Sequence, residues 1–343
     1  MGSTASKEPA PRSVGPGGAP RAAALPPSYP VSGARAAAGR RTSRVVFGRY
    51  LFCYVMLLVP AAFFVLFRVS PIVQTLRLSV LNWDLISRVK PFVGLDNFRT
   101  LLEDSNFRLA LSNTTVFAAA TVVASVVLAL LVALPLAGRP AAGVARRLRF
   151  EGAYQLIYFL PFITPTVPEA VVWKWIYDAR YGILNYVLGL VGIPPLGWLI
   201  DPRITLWAVI IMSVWKTLGY NMVLFIIGLR AIPAEYMEAG LIDGATGWRF
   251  FRFLTLPLLM PTVLLVTVIS TIGAYNVFTQ VYVLAADIQG SPGSVVRVLI
   301  YDIFENAFRF YRMGYASAEA TVFFAIVLLL TLAQFRVLRS RTE

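Results

Sequence analysis

Long uninterrupted runs of apolar residues dominate the chain after its first 44 residues. Each run is close to the roughly 20 residues that a helix needs to cross about 30 Å of hydrocarbon. Their approximate limits are residues 47–67, 112–137, 153–177, 204–229, 258–283 and 316–336. The runs are too continuous for barrel strands, and only helices satisfy their own backbone hydrogen bonds in lipid. The pattern therefore predicts an all-α integral membrane protein with six transmembrane helices.

The third run, residues 153–177, is the one most interrupted by helix breakers. It contains Pro161, Pro165 and Pro168. A soluble helix would break there, whereas a membrane helix can kink when its neighbours satisfy the freed backbone groups. We expect a kinked transmembrane helix.

The first 44 residues differ from the rest in composition. They are rich in Pro, Gly, Ala, Ser and Arg and contain almost no large apolar residue. Such a segment cannot bury enough surface to offset its ordering entropy. Residues 1–44 are predicted to be a disordered cytoplasmic tail, or alternatively a basic arm for anionic lipid. Residues 45–343 would then form the six-helix transmembrane domain.

The overall composition agrees with a membrane protein. The 343 residues are 58% hydrophobic and 14% charged, against about 45–50% and about 25% in soluble domains. The formal net charge is +14, and most of this excess falls on the tail and on alternate loops. Because Lys and Arg are enriched on the cytoplasmic side, both termini are predicted to be cytoplasmic. The positive charge thus reports topology, and no nucleic-acid partner is expected.

The absence of histidine limits the possible chemistry. The chain has no His and a single cysteine, Cys53. This excludes His-ligated metals, His proton relays, Ser-His or Cys-His catalysis and an internal disulfide. A membrane-embedded enzyme, which would need a nucleophile–base pair or a metal centre, therefore has few options, and no catalytic residue or metal site is expected.

The segment between the fourth and fifth runs, residues 230–257, predicts a short helix outside the membrane. Pro233 suits the first turn of a helix, because the missing N–H is not needed there. The residues from Ala234 to Ile242 are mostly good helix formers, and Gly244 is placed for a left-handed cap. Aromatic residues then follow before the next apolar run. From composition alone, an ordinary interfacial connector is an equal alternative.

This segment resembles the EAA loop of binding-protein-dependent ABC importer permeases. The chain reads Glu238-Ala239-Gly240, three residues, Gly244, nine residues and Leu254-Thr255-Leu256-Pro257. The family pattern is Glu-Ala-Ala, three residues, Gly, nine residues, Ile, one residue, Leu-Pro. All the spacings agree, and the departures are Gly240 for the second Ala and Leu254 for Ile.

Further short motifs are similar to the carbohydrate branch of that family, which takes up sugars, oligosaccharides and glycerol-3-phosphate. They extend the resemblance from about residue 47 to the C-terminus. The motifs include Leu81-Asn82-Trp83-Asp84, Trp173-Lys174-Trp175, Gly182-Ile183-Leu184-Asn185 and Gly314-Tyr315-Ala316-Ser317-Ala318. The outer loop at residues 285–292 departs from the family's Thr-Gly-Gly-Gly-Pro turn, which puts its geometry and receptor docking in question.

The resemblance implies a type I importer permease fold and a set of partners. These are a second homologous permease, a cytoplasmic ABC ATPase dimer, an extracytoplasmic solute-binding protein and a small sugar-like substrate. The chain contains no phosphate-binding loop motif, so no cofactor is expected on it and the partner ATPase would use ATP and Mg²⁺. Glu238 would pair with a basic residue of the ATPase. The residues implied in ATPase coupling are Glu238, Ala239, Gly240, Leu241, Asp243, Gly244 and Ala245.

Candidate substrate residues come from polar and aromatic positions in the fourth and fifth runs, since polar groups inside spans are costly and often functional. The candidates are Trp215, Lys216, Tyr220, Asn221, Tyr275, Asn276 and Gln280. Amides and hydroxyls suit sugar hydroxyl groups, and aromatic faces suit sugar C–H surfaces. Equally, the tyrosines could be packing residues and the amides could join helices. Lys216 could pair with an anionic ligand or extend to the interface.

Two acids within the predicted spans leave a different transport class open. An ion-coupled secondary transporter of a small polar solute would use groups such as Glu169 and Glu319, although the EAA loop would then have no explanation. We expect Glu169 to pair near a helix end and Glu319 to reach the outer interface.

Overall fold

The computed structural model describes residues 50, 52–137, 150–285 and 296–339. The predicted tail at 1–44 and most of the divergent outer loop at 285–292 lie outside this part of the chain. The described secondary structure is helical, apart from an isolated antiparallel bridge between Leu81 and Phe92.

The helices follow the order of the apolar runs. In chain order they are α1 Phe52–Leu78, α2 Asp96–Glu103, α3 Ser105–Leu136, α4 Glu151–Ile163, α5 Thr166–Ile176, α6 Ile183–Leu190, α7 Pro202–Ala231, α8 Ala234–Ile242, α9 Gly247–Tyr275, α10 Thr279–Ala285, α11 Leu299–Phe304 and α12 Met313–Arg339. A π-helical turn lies inside α1 at Val65–Val69, and another lies inside α9 at Phe251–Thr255. Backbone contacts divide the chain into two units at Leu66–Phe67. In the first unit the side chains of residues 52–66 are exposed, and the second unit contains all the helices from α2 onward.

By length and composition, α1, α3, α7, α9 and α12 can each cross a membrane. The α4–α5 pair makes a sixth span if the two helices are counted together. The six predicted runs correspond to these five helices and the bent pair, but their limits differ from the prediction. The first span extends to Leu78, beyond the predicted limit at residue 67. The fifth span begins at Gly247 and ends at Tyr275, so the run 258–283 is shifted, and the aromatic residues expected in a loop up to 257 are already helical.

The third run is broken rather than kinked. α4 and α5 meet at an angle of 100°, because Thr164 and Pro165 both adopt extended backbone conformations with ψ of 138° and 136°. Proline disfavours the helical conformation of the residue before it, which explains why Thr164 leaves the helix.

A lysine from α7 compensates for this break. In a continuous helix, the carbonyl of Pro161 would accept from residue 165, and that of Thr164 would accept from residue 168. Both of those residues are prolines and have no N–H. The Lys216 ammonium donates to the Pro161 carbonyl at 3.2 Å and to the Thr164 carbonyl at 2.8 Å, and it also pairs with Glu169.

α7 lies at the centre of the second unit and packs against α3, α4 and α9. Gly219 allows its close approach to α4, because a Cβ atom there would lie 1.8 Å from the Tyr158 carbonyl oxygen. Together Gly219 and Lys216, one helical turn apart, hold the first half of the broken span against α7.

Two separate hydrophobic clusters hold the long helices together. One contains Phe117, Met212 and Tyr275, and the other contains Met222 and Leu259. α3, α7 and α9 each contribute residues to both clusters.

The acid expected at the outer interface, Glu319, is instead fully buried. It accepts a hydrogen bond at 3.2 Å from Asn306 in the π-helical turn that follows α11. Nearby, Arg297 pairs with Asp302 and, at 2.8 Å, with Glu305. Burial raises the pKa of Asp302, although hydrogen bonding to Glu319 and the charge of Arg297 act in the opposite direction. The expectation for Glu319 was wrong because α11 and its turn cover the start of α12.

The Lys216–Glu169 pair provides a stability test. We expect Lys216→Met to destabilise the protein by about 3–5 kcal/mol, because it leaves a buried carboxylate unpaired. It also leaves two buried carbonyls without a donor. The double variant Lys216→Met, Glu169→Leu removes both charges and should recover part of this loss. Thermal unfolding of the purified complex would measure both, and a wild-type midpoint for Lys216→Met would contradict the assigned role.

Candidate functional site: a coupling helix and a central cavity

α8, the coupling helix, has one buried and one exposed face. Met237 and Gly240 are buried against the protein. Glu238, Ala239 and Leu241 are exposed. The helix has nine residues, as the sequence predicted. The exposed face of α8, which carries the Glu238 carboxylate, therefore lies between the end of α7 and the start of α9 in the chain.

The coupling helix ends in a Schellman motif. The Ala245 N–H donates to the Gly240 carbonyl at 3.0 Å, and the Gly244 N–H donates to the Leu241 carbonyl at 3.1 Å. Gly244 has a φ of +75°, which confirms the predicted left-handed cap. Asp243 is the C-cap residue and is exposed. The cap makes α8 a short body with a defined end, joined to α9 by a tight turn.

The two departures from the EAA pattern contact each other. A Cβ atom at Gly240 would lie 2.7 Å from Leu254 Cδ2 and 3.3 Å from Phe250 Cε2. The leucine branch therefore fills the space that an alanine methyl would occupy. This packing connects α8 to the start of α9, where the π-helical turn Phe251–Thr255 precedes Pro257. The wider turn suits a proline that has no N–H to donate.

A cavity of about 270 Å³ is bounded in part by Phe117, Ala274 and Val277 of the first hydrophobic cluster. Residues of α3, α4, α7, α9, α10 and the turn before α10 surround it. Its lining consists of Phe117, Thr121, Ser125, Phe162, Ser213, Thr217, Tyr220, Asn221, Ile269, Ser270, Gly273, Ala274, Val277 and Gln280. The cavity thus combines hydroxyl and amide groups with aromatic and aliphatic walls.

Three of the predicted substrate residues line this cavity. Tyr220 stacks on Phe162 with ring centroids 4.5 Å apart. Asn221 is buried, and its Nδ2 donates to Ser270 Oγ at 3.0 Å. Gln280 lines the cavity from α10.

The other four predicted substrate residues lie elsewhere. Tyr275 belongs to a hydrophobic cluster, and Asn276 ends α9 by donating to the Ile272 carbonyl at 2.7 Å. Trp215 packs edge-on against Trp173 at 5.4 Å. Lys216 binds the broken span. These four side chains therefore have structural partners within the chain, and none of them lines the central cavity.

Sequence reasoning missed the hydroxyl residues of α3 and α7. Thr121 and Ser125 are four residues apart, as are Ser213 and Thr217. This spacing places each pair on one face of its helix. Polar residues at i and i+4 within an apolar run were the available signal.

Comparison with known proteins identifies the family. Residues 135–343 match the model of the binding-protein-dependent transport system inner membrane component. The chain belongs to this family. It is consequently a multi-pass membrane protein and a transport subunit.

The sequences of curated relatives align with this chain over most of their length. The trehalose/maltose transport system permease protein MalF of Thermococcus litoralis is 32% identical over 88% of this chain and 98% of its own. The diacetylchitobiose uptake system permease protein NgcF of Streptomyces coelicolor is 33% identical over 87% and 85%. The sn-glycerol-3-phosphate transport system permease protein UgpA of Agrobacterium fabrum is 30% identical over 87% and 98%.

A solved structure supports the fold. A chain of the bacterial alginate ABC transporter, crystallised with an alginate pentasaccharide-bound periplasmic protein, superimposes with a TM-score of 0.74. The match covers 86% of this chain and 96% of that chain at 22% identity. The predicted type I importer permease fold is therefore confirmed.

The contact between Gly240 and Leu254 predicts energetic coupling. Gly240→Ala favours the helix by about 1 kcal/mol, but it also forces Leu254 aside, which costs about 1–3 kcal/mol in a packed site. Leu254→Ile removes the obstructing methyl. We expect the unfolding free energy of the double variant to exceed, by at least about 0.5 kcal/mol, the value obtained by adding the effects of the two single changes. A double-mutant cycle on unfolding free energies measures this, and strict additivity would show that the two positions do not interact.

Proposed function

We propose that this chain is the permease subunit of an ATP-driven, binding-protein-dependent importer for a sugar or sugar derivative. The observation that carries the proposal is the exposed, capped coupling helix α8 in a chain of this family. The names of the relatives support the substrate class, since they refer to trehalose and maltose, diacetylchitobiose and glycerol-3-phosphate.

ATP hydrolysis is assigned to a separate ABC ATPase dimer that binds the exposed face of α8. Glu238 would pair with a basic residue of the ATPase, with Ala239 and Leu241 packed beside it. This chain would bind no cofactor itself, and Mg²⁺-ATP would stay on the partner. Under this assignment the exposed face of α8 lies in the cytoplasm. Both termini would then lie there too, because four spans precede α8 and two follow it when α4 and α5 are counted as one span.

The connection between α8 and α9 would transmit motion of the ATPase to the helices that line the cavity. When the ATPase dimer closes, α8 would move with the start of α9, since Gly240 packs on Leu254 and Phe250. The same α9 carries Ile269, Ser270 and Gly273 to the central cavity. Motion at the cytoplasmic end would thereby rock the cavity-lining helices between inward-facing and outward-facing states. A second permease would complete the pathway, and a solute-binding protein would deliver the ligand.

An ion-coupled secondary transporter is less well supported. Glu169 is paired with Lys216, and Glu319 accepts from Asn306. Neither carboxylate lines the central cavity. Ion coupling would require an acid that titrates together with substrate binding.

Charge reversal at Glu238 tests the coupling assignment. We expect Glu238→Lys to abolish uptake and to reduce co-purification of the ATPase at least tenfold, because loss of a buried charge pair at an interface costs about 2–5 kcal/mol. Membrane insertion should be unchanged. Glu103→Lys, at an exposed glutamate outside α8, is the matched control and should retain both activities. Normal uptake and ATPase binding by Glu238→Lys would refute the proposal.

A further inference from the structure

The polar lining of the central cavity carries no formal charge. Its polar residues are Thr121, Ser125, Ser213, Thr217, Tyr220, Asn221, Ser270 and Gln280, and no Asp, Glu, Lys or Arg is among the lining residues described. We propose that this cavity accepts the uncharged ring of a neutral sugar or polyol and excludes sugars that carry a phosphate or carboxylate. The inference rests on the proposed function and narrows its substrate class. Family membership does not make this choice, because the matched proteins include transporters named for maltose, for glycerol-3-phosphate and for acidic alginate.

Two hydroxyl groups in the cavity lining have no hydrogen-bond partner within the described part of the chain. Thr121 and Ser213 are 5% and 3% exposed, and both side-chain oxygens are buried without a partner. An unsatisfied buried polar group is costly, so each of these two hydroxyls has hydrogen-bonding capacity that no group in the described part of the chain uses. A hydroxyl can both donate and accept, which matches the hydroxyl groups of a sugar.

The cation nearest in sequence to these residues is already engaged. Lys216 lies between Ser213 and Tyr220 in sequence, but its ammonium has three acceptors: Glu169 and the carbonyls of Pro161 and Thr164. An ammonium has three hydrogens to donate. Lys216 therefore has no remaining donor for an anionic substrate.

The walls of the cavity suit the less polar surface of a sugar ring. The stacked rings of Phe162 and Tyr220, together with Phe117, provide aromatic surface. At about 270 Å³, the cavity lies near the lower end of the roughly 300–1,000 Å³ found for small-molecule pockets. Apolar surface beside a few polar groups fixes the orientation of a small neutral ligand.

An anionic sugar would lose its hydration here without gaining a countercharge from the described lining residues of this chain. Burial of an ionised group without a partner is far more costly than burial of a hydroxyl that finds a hydrogen bond. The absence of charge from the lining thus selects against phosphate and uronate groups, whereas the hydroxyl and amide groups remain suitable for neutral rings.

The test uses the whole complex of this chain with its partner permease and ATPase, reconstituted in lipid nanodiscs. Thermal unfolding is followed with maltose, trehalose and lactose as neutral probes, and with sn-glycerol-3-phosphate and an alginate oligosaccharide as anionic probes. Ligand binding to the folded state raises the unfolding midpoint in proportion to affinity and concentration. We expect a neutral probe to raise the midpoint and the anionic probes to leave it unchanged.

Variants then assign the effect to the cavity. Thr121→Val removes one hydroxyl with little change in shape and should weaken the neutral probe about three- to tenfold, the value of one hydrogen bond. Thr115→Val is the control, because Thr115 is exposed on the same helix and donates only to the Leu111 carbonyl. It should bind the probe as the wild type does.

The outcomes separate this inference from the proposed function. Binding of an anionic probe that Thr121→Val weakens would overturn the neutral class and leave a sugar permease in place. If no probe gives a shift that depends on Thr121, the cavity is not the sugar site and the inference fails. The coupling function would be unaffected by either result, since Glu238→Lys tests it through ATPase binding.

Discussion

The Lys216 ammonium holds together the one span that cannot form a continuous helix. Pro165 and Pro168 remove two backbone donors, and the carbonyls of Pro161 and Thr164 would be left unsatisfied in an apolar surrounding. Lys216 donates to both carbonyls, and Glu169 balances its charge. Unsatisfied backbone groups in lipid cost several kcal/mol each, so the position of the broken span depends on this contact. Phe162 reaches the cavity because of it.

The same contact determines the electrostatics of the cavity. α7 supplies both the lysine and the polar residues Ser213, Thr217 and Asn221. Since the lysine is directed to the break, only neutral groups remain on the face that lines the cavity. The contact that holds the broken span and the uncharged residues of the cavity lining thereby belong to one helix. Phe117, Ala274 and Val277 of the first hydrophobic cluster form part of the wall beside these polar groups.

α9 links the cavity to the coupling helix. Its first residues pack against Gly240, its π-helical turn accommodates Pro257, and its later residues line the cavity. A displacement of α8 therefore acts on the same helix that lines the cavity. At these two departures from the family pattern, the Leu254 branch occupies the space that an alanine methyl at position 240 would need.

Much of the architecture was predictable from the chain. The apolar runs and the short helix before Gly244 depend on local rules of length, hydropathy and capping. Five runs correspond to continuous helices of membrane-spanning length, the remaining run corresponds to the bent pair α4–α5, and the short helix was confirmed. The break at Thr164, the burial of Glu319 and the early start of α9 were not predicted correctly. Among the predicted substrate residues, Tyr220, Asn221 and Gln280 line the cavity. Thr121 and Ser213 also line it, but they were not predicted from the sequence.

The sequence by itself determined which segments are helical, that a short helix ends before Gly244 and that a segment resembling the EAA loop joins two spans. Those properties follow from prolines, glycines and apolar runs acting over a few residues. Only the tertiary structure decided that Lys216 donates to the carbonyl of Thr164, about fifty residues earlier, and that Glu319 accepts a hydrogen bond from Asn306. Such pairings depend on which faces pack together, because a charged side chain in a membrane protein takes the partner that its helix neighbours bring within reach.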